Sequence, residues 1–192
     1  MREIVFATNN QHKLDEIRDI VSGSISILSL SDLGFFDDIP ETGVTLQENA
    51  LIKAEHIYKF FGVNCFADDT GLEIDALNGR PGVYSARYAG EGCTFTDNVK
   101  KVLAELSGVE NRKARFRTVI SLILEGRTYF FEGAVEGIIE KEFKGHGGFG
   151  YDPVFTPLGY TKTFAEMDAA EKNRISHRGL AVARLTEFLQ HV

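Results

Sequence analysis

Asp68 and Asp69 stand side by side at the end of Val63-Asn64-Cys65-Phe66-Ala67, a short apolar run that reads as a buried strand. Adjacent carboxylates repel and need a cation or hydrogen-bond donors. Magnesium prefers carboxylate oxygens, usually takes only one or two from a protein, and completes its shell with water and phosphate oxygens. Glu41, in Pro40-Glu41-Thr42-Gly43, is a candidate for a second carboxylate. Aspartates also open ordinary turns, so on these residues alone the metal reading and the turn reading stand level.

Three other stretches carry polar chemistry. Thr8, Asn9, Asn10, Gln11, His12 and Lys13 lie at a strand-to-helix junction. Backbone N–H groups and the positive end of the helix dipole meet there and make an anion site, to which Lys13 adds a full charge. An N-cap followed by a solvated lysine explains the same residues and is the commoner case. Lys172, Asn173, Ser176, His177 and Arg178 cluster at the start of the last helix, where Arg178 offers planar donors to a phosphate or a carbonyl oxygen. Solvated basic residues at a helix start explain that cluster equally well. Gly145 to Gly150 matches G-x-G-x-x-G, but no helix opens inside it, and Pro153 disfavours helical angles at Asp152. The segment reads as a flexible loop that lets backbone approach a flat ligand, with Phe149 or Tyr151 stacking on a base, or as a plain connector. The chain has no phosphate-binding G-x-x-x-x-G-K-[ST], no H-E-x-x-H or C-x-x-C, and no G-x-S-x-G.

The elements that must position these groups follow from pattern. Residues 3–7 read as a strand, and a helix follows with Leu14, Ile17, Ile20 and Val21 on one face. Residues 25–28 read as a second strand. Residues 37–44 are irregular. Thr45 and Glu48 form a capping box, opening a helix with Leu46, Ala50, Ala54, Ile57, Tyr58 and Phe61 at helical spacing and Gly62 as its stop. The strand at 63–67 is expected to end at Asp68, with another short strand over 72–77. A helix is expected over Thr96 to Leu106, a long hairpin over 114–124 and 127–139 around Glu125-Gly126, and a last helix from Ser176 to Gln190 with Val182, Leu185, Phe188 and Leu189 inward. Mixed strand and helix with a late hairpin predicts α/β with a mixed sheet.

At 192 residues the default is one domain with a sizeable core. A net charge of −7 argues against binding nucleic-acid polymers, while leaving room for one basic pocket or a bound cation. No apolar run is long enough to span a membrane, and the N-terminal residues are too short for a secretory core. Cys65 and Cys93 read as reduced thiols of a cytoplasmic protein.

The blocks, taken in order, resemble the inosine triphosphate pyrophosphatase family. They are Thr8-Asn9-Asn10 with Lys13; Glu41-Thr42-Gly43 with Glu48-Asn49-Ala50 and Lys53-Ala54; Ala67 to Leu72; Gly79 and Pro81 to Tyr88; Gly147 to Pro153; Thr163 to Met167; and Lys172 with Ser176-His177-Arg178. The resemblance implies a single α/β domain over residues 1–192, with a long central mixed sheet and two lobes flanking a nucleotide cleft. It also implies a homodimer and magnesium-dependent hydrolysis of non-standard purine nucleoside triphosphates to monophosphate and pyrophosphate. By position, Thr8 to Lys13 would hold the triphosphate. Glu41 and Asp69 would hold magnesium, with Asp68 as an alternative ligand. Asp69 would accept the proton of the attacking water, and Thr70 would touch the nucleotide. Phe149, Gly150, Tyr151, Asp152, Lys172, His177 and Arg178 would surround the base. A pyrophosphatase for other modified nucleotides, a non-catalytic nucleotide sensor and an interaction domain are the alternatives.

Overall fold

The computed structural model describes residues 2–21 and 25–192. Strand β1 (Arg2–Phe6) pairs in parallel with β2 (Ile25–Leu28), Val5 opposite Leu28. Parallel neighbours need a crossover, and helix α1 (Gln11–Ile20) supplies it, with Leu14 and Ile17 buried. The Thr45–Glu48 capping box opens α2 (Leu46–Phe61), and Gly62 closes it in the left-handed region at φ 66°. The chain then enters β3 (Cys65–Ile74), parallel to β1 with Phe6 opposite Phe66.

Here the structure departs from the expected pattern. Asp68 to Gly71 do not turn: they lie inside one ten-residue strand, and residues 75–77 form a single 3-10 turn. Asp-rich turns are held by side-chain bonds to their own backbone. In this chain those carboxylates bond side chains on other elements, so the strand runs through them.

The two-residue strand β4 (Pro81–Gly82) pairs antiparallel with β3. Helix α3 (Phe95–Glu105) begins one residue earlier than its apolar pattern suggests, because Thr94 and Asp97 form a second capping box. Strands β5 (Lys113–Leu124) and β6 (Arg127–Ile139) make the expected hairpin. Glu125 and Gly126 both take positive φ, 50° and 78°, as a two-residue turn matched to strand twist requires. Strand β7 (Phe155–Pro157) pairs antiparallel with β6. The last expected helix is α5 (His177–Gln190), but a short helix, α4 (Ala169–Ile175), precedes it unannounced. Asp168 caps α4, and extended Ser176 separates the two. Lys172 therefore sits within α4 and not at the start of the last helix. The sheet order is β2-β1-β3-β5-β6-β7 with β4 on β3, a mixed sheet as expected. Among the described residues no helix is long and apolar enough to cross a membrane.

The chain forms two compact units, and β3, β5 and β6 contribute residues to both. The first comprises Met1–Asp69, Thr118–Gly133 and Arg178–Val192. Residues 4–6, 65–69 and 118–124 of its strands are buried on both faces. Ile4, Phe6, Phe66, Ile120 and Leu122 pack with α1 and α5, while Val5, Ala7, Cys65, Ala67 and Ile123 pack with α2. The odd–even division is the period of two of a strand. The second comprises Thr70–Arg117 and Ala134–His177, with a core of Leu72, Ile74, Val102, Phe116, Phe155 and Phe164. Phe66 is fully buried and stacks on Phe6 with centroids 4.6 Å apart. Phe66→Ala is expected to cost about 3–5 kcal/mol, read as a lower urea midpoint with an unchanged slope.

Candidate active site

Because side chains alternate along β3, the two aspartates leave the strand on opposite faces. Asp68 continues the Phe66 face toward α1 and α5. Its Oδ1 accepts from Lys13 Nζ at 2.8 Å and its Oδ2 from Arg178 Nε at 3.4 Å. Arg178 is 2% exposed, and its Nη1 also pairs with Glu16 of α1. Burial alone would raise the Asp68 pKa, but Lys13, Arg178 and Lys53 together hold the carboxyl well below the usual range. Burial lowers Lys13, and the charges of Lys53 and Arg178 add to that effect against the pull of Asp68.

Asp69 continues the Cys65 and Ala67 face toward α2, and its surroundings differ. Asn49 Nδ2 donates to Asp69 Oδ2 at 3.1 Å. Lys53 Nζ lies 3.8 Å from Asp69 Oδ1 and 2.5 Å from Glu41 Oε1. Burial pushes the Asp69 pKa up, Glu41 adds to the rise, and together they outweigh Lys53, Lys13 and the Asn49 hydrogen bond. Burial would lower Lys53, yet Asp69, Glu41 and Asp68 hold it above its ordinary value. Two carboxylates thus face one positive centre through hard oxygen donors. No group of three or more His, Cys, Asp or Glu side chains gathers among the described residues. A set of two carboxylates suits a cation, such as magnesium, that takes only one or two oxygens from the protein.

The Thr8–Lys13 segment lies in the same unit. Asn10 caps α1 by accepting from the Lys13 N–H at 3.2 Å, and Thr8 Oγ1 accepts from the Asn10 N–H. Asn9 Nδ2 donates to the Asp37 carbonyl and to Asp38, fastening the irregular segment that leads to Glu41. Gln11 bonds Asp15, and His12 is exposed. Thr8 to Gln11 lead into the N-terminus of α1, and Lys13 brings its charge to Asp68.

In the second unit Asp152, 3% exposed, accepts at Oδ2 from Lys172 Nζ and from the Phe149 N–H, both at 2.8 Å. Lys172 Nζ also lies 5.0 Å from the centroid of the Phe149 ring. His177 is buried and stacks on Phe116 with centroids 4.5 Å apart. Thr70 is half-buried on β3. Lys172 bonds Asp152, and Arg178, expected at the base, pairs with Asp68 and Glu16. Tyr151, a candidate for stacking, is a core residue, 4% exposed, whose hydroxyl donates to the Ser85 carbonyl. Asp152 opens a 3-10 turn despite Pro153, since a first helical turn tolerates proline. Gly145 and Gly148 answer to the protein's own packing. A Cβ at Gly148 would lie 2.1 Å from Asp152 Oδ2, and one at Gly145 would lie 2.6 Å from the Ala165 carbonyl.

Residues 4–188 match the Ham1 family. The chain belongs to the Ham1 family. It is 57% identical over 190 residues to the dITP/XTP pyrophosphatase of Porphyromonas gingivalis, covering 98% of each chain. It is 51% identical over 187 residues to the Flavobacterium johnsoniae protein of the same name, covering 97% of each. Among solved structures, the HAM1 protein of Coxiella burnetii is similar over the whole of both chains, with a TM-score of 0.91 and 41% identity. The Ham1 protein of Staphylococcus aureus is similar over 99% of both, with a TM-score of 0.90.

In this Ham1 chain three residues join the expected set: Asn49, Lys53 and Glu16. The first two had a signal in the sequence. On the α2 stripe of Leu46, Asn49, Ala50, Lys53, Ala54 and Ile57, two polar residues occupy positions that face inward, and a buried polar group implies a partner. Glu16 had none, because its partner Arg178 is 162 residues away.

The opposite pKa shifts of the two aspartates predict opposite effects on stability. The lowered Asp68 contributes stability that is present above the ordinary carboxylate pKa and lost as pH falls through and below it. The raised Asp69 contributes stability only where it stays protonated, which is lost as pH rises through its folded value. Asp68→Asn, which removes the carboxylate that Lys13 and Arg178 share, should cost about 3–5 kcal/mol at neutral pH. Asp69→Asn should melt at or above the parent temperature. Thermal melts of both variants at pH 7 check this, and a stable Asp68→Asn would contradict it.

Proposed function

We propose that the chain hydrolyses non-standard purine nucleoside triphosphates, such as those of inosine, deoxyinosine and xanthosine, to the monophosphate and pyrophosphate. The observation that carries the reading is the convergence of Glu41 and Asp69 on one positive centre, with burial and the Glu41 charge holding Asp69 above its ordinary value. The name shared by its relatives, dITP/XTP pyrophosphatase, supports the substrate class.

Glu41 and Asp69 would hold magnesium. When bound, the cation supplies charge neutralisation for the phosphates and makes the attacking water more acidic. Asp69 takes the proton of that water as its oxygen bonds to the α-phosphorus. The bond from that phosphorus to the bridging oxygen breaks, and the electron pair leaves with pyrophosphate. Lys13 and the N-terminus of α1 stabilise the charge that builds on the leaving group. Asp68 serves by holding Lys13, with Arg178 and Glu16 neutralising the rest of the buried cluster. The Phe149, Asp152, Lys172 and His177 group combines an aromatic face with charged hydrogen-bonding groups, a chemistry suited to a purine carrying a six-carbonyl. Adenine would leave a donor there unsatisfied, which costs about 1–3 kcal/mol. A single domain over residues 1–192, a homodimer and a cytoplasmic location belong to the same proposal.

Product analysis with inosine, xanthosine, adenosine and guanosine triphosphates tests it. The expected result is inosine and xanthosine monophosphates plus pyrophosphate with magnesium, at least tenfold faster than from the common nucleotides, and no product after EDTA. Asp69→Asn should lower kcat by about 10²–10⁴. Diphosphate plus orthophosphate would place attack at the terminal phosphate and overturn the mechanism, while tight binding without turnover would make the chain a sensor.

A further inference from the structure

Asn49 is the one amide of α2 that faces the site, and a strong helix former would serve that position better. It is fully buried, and a buried amide is costly unless both its ends are bonded. Both are. Oδ1 accepts from the Gly43 N–H at 2.8 Å, and Nδ2 donates to Asp69 Oδ2 at 3.1 Å. The orientation of the amide is forced: a backbone N–H can only donate, so oxygen must face Gly43 and nitrogen must face Asp69.

Gly43 lies two residues beyond Glu41, so one side chain ties the Glu41 segment to Asp69. An independent observation shows how closely that segment is pressed on the amide. A Cβ at Gly43 would lie 2.7 Å from Asn49 Oδ1 and 2.6 Å from Glu48 Cβ. The next two N–H groups, of Val44 and Thr45, both donate to Glu48 Oε2. Three successive backbone donors after Glu41 are therefore held by two adjacent side chains of α2. Lys53, one turn further along the same helix, contacts both carboxylates. Helix α2 thus works as a ruler between Glu41 and Asp69, and Asn49 is the mark that touches both sides.

We propose that Asn49 is a positioning residue: by bonding Gly43 and Asp69 at once it sets the separation and orientation of the Glu41 and Asp69 carboxylates, and so the affinity of the pair for a divalent cation. The inference rests on the metal reading given under the proposed function. Partners that orient metal ligands typically change affinity or activity by about 10–100-fold when removed.

The test uses Asn49→Leu, which keeps the volume and removes both hydrogen bonds, in the full chain. Binding of Mn2+ alone is followed by the loss of its free EPR signal, well below the melting midpoint of each variant, so that nucleotide and turnover play no part. The expected result is a Mn2+ dissociation constant weakened by about tenfold or more. In steady state kcat should fall by a similar factor while the nucleotide KM stays within about threefold, since ground-state binding is left intact. If Asn49→Leu does not fold, Gly43→Ala presses on the same amide from the other side and should weaken Mn2+ in the same direction. A folded variant that binds Mn2+ within twofold of the parent overturns the inference. Glu41→Gln and Asp69→Asn, measured in parallel, separate the two readings. If they also bind Mn2+ as the parent does, the metal assignment itself has failed. If they lose it while Asn49→Leu does not, only the role of Asn49 has.

Discussion

Two carboxyl groups in consecutive positions of a buried strand need compensating partners on both faces of the sheet. In β3 the pleat sends Asp68 toward α1 and α5 and Asp69 toward α2, so each bonds its own partners while the charges of Lys13 and Lys53 act on both. Much of the first unit follows from that requirement. Helix α1 presents Lys13 and Glu16, α5 presents Arg178, and α2 presents Asn49 and Lys53, each reaching the strand from an apolar face that is packed for other reasons.

The two environments are unequal in a way that suits chemistry. Asp68 sits between two cations and stays ionised, a fixed charge that orders Lys13 and Arg178. Asp69 is desolvated beside Glu41 and less completely compensated, which keeps its proton affinity high. Environments that push two carboxylates apart in pKa are how one fold assigns different roles to the same residue type.

The second unit solves a different problem with the same means. Asp152 gathers the Phe149 N–H and the Lys172 ammonium on a single oxygen, and Gly148 lacks a side chain because that oxygen occupies its place. Glycines 145 and 147 likewise allow the loop to lie against Ala165.

Local order was legible in the sequence wherever a short-range rule governs it. The Thr45–Glu48 capping box, the Gly62 stop, the Glu125-Gly126 hairpin and the order of β1, α1 and β2 depend on neighbours within a few residues, and all appear as read. The ordered blocks from Thr8 to Arg178 also carried the family. What the sequence could not decide was everything that depends on partners far along the chain. Whether Asp68-Asp69 ends a strand or continues it turns on Lys13 and Arg178, 55 and 110 residues away. Whether Arg178 serves a ligand or a carboxylate turns on Glu16 and Asp68, and whether Tyr151 stacks or packs turns on Ser85. The physical reason is the same in each case: a charge or a hydroxyl carries no sign of its partner, and only the folded chain brings the two within hydrogen-bonding distance.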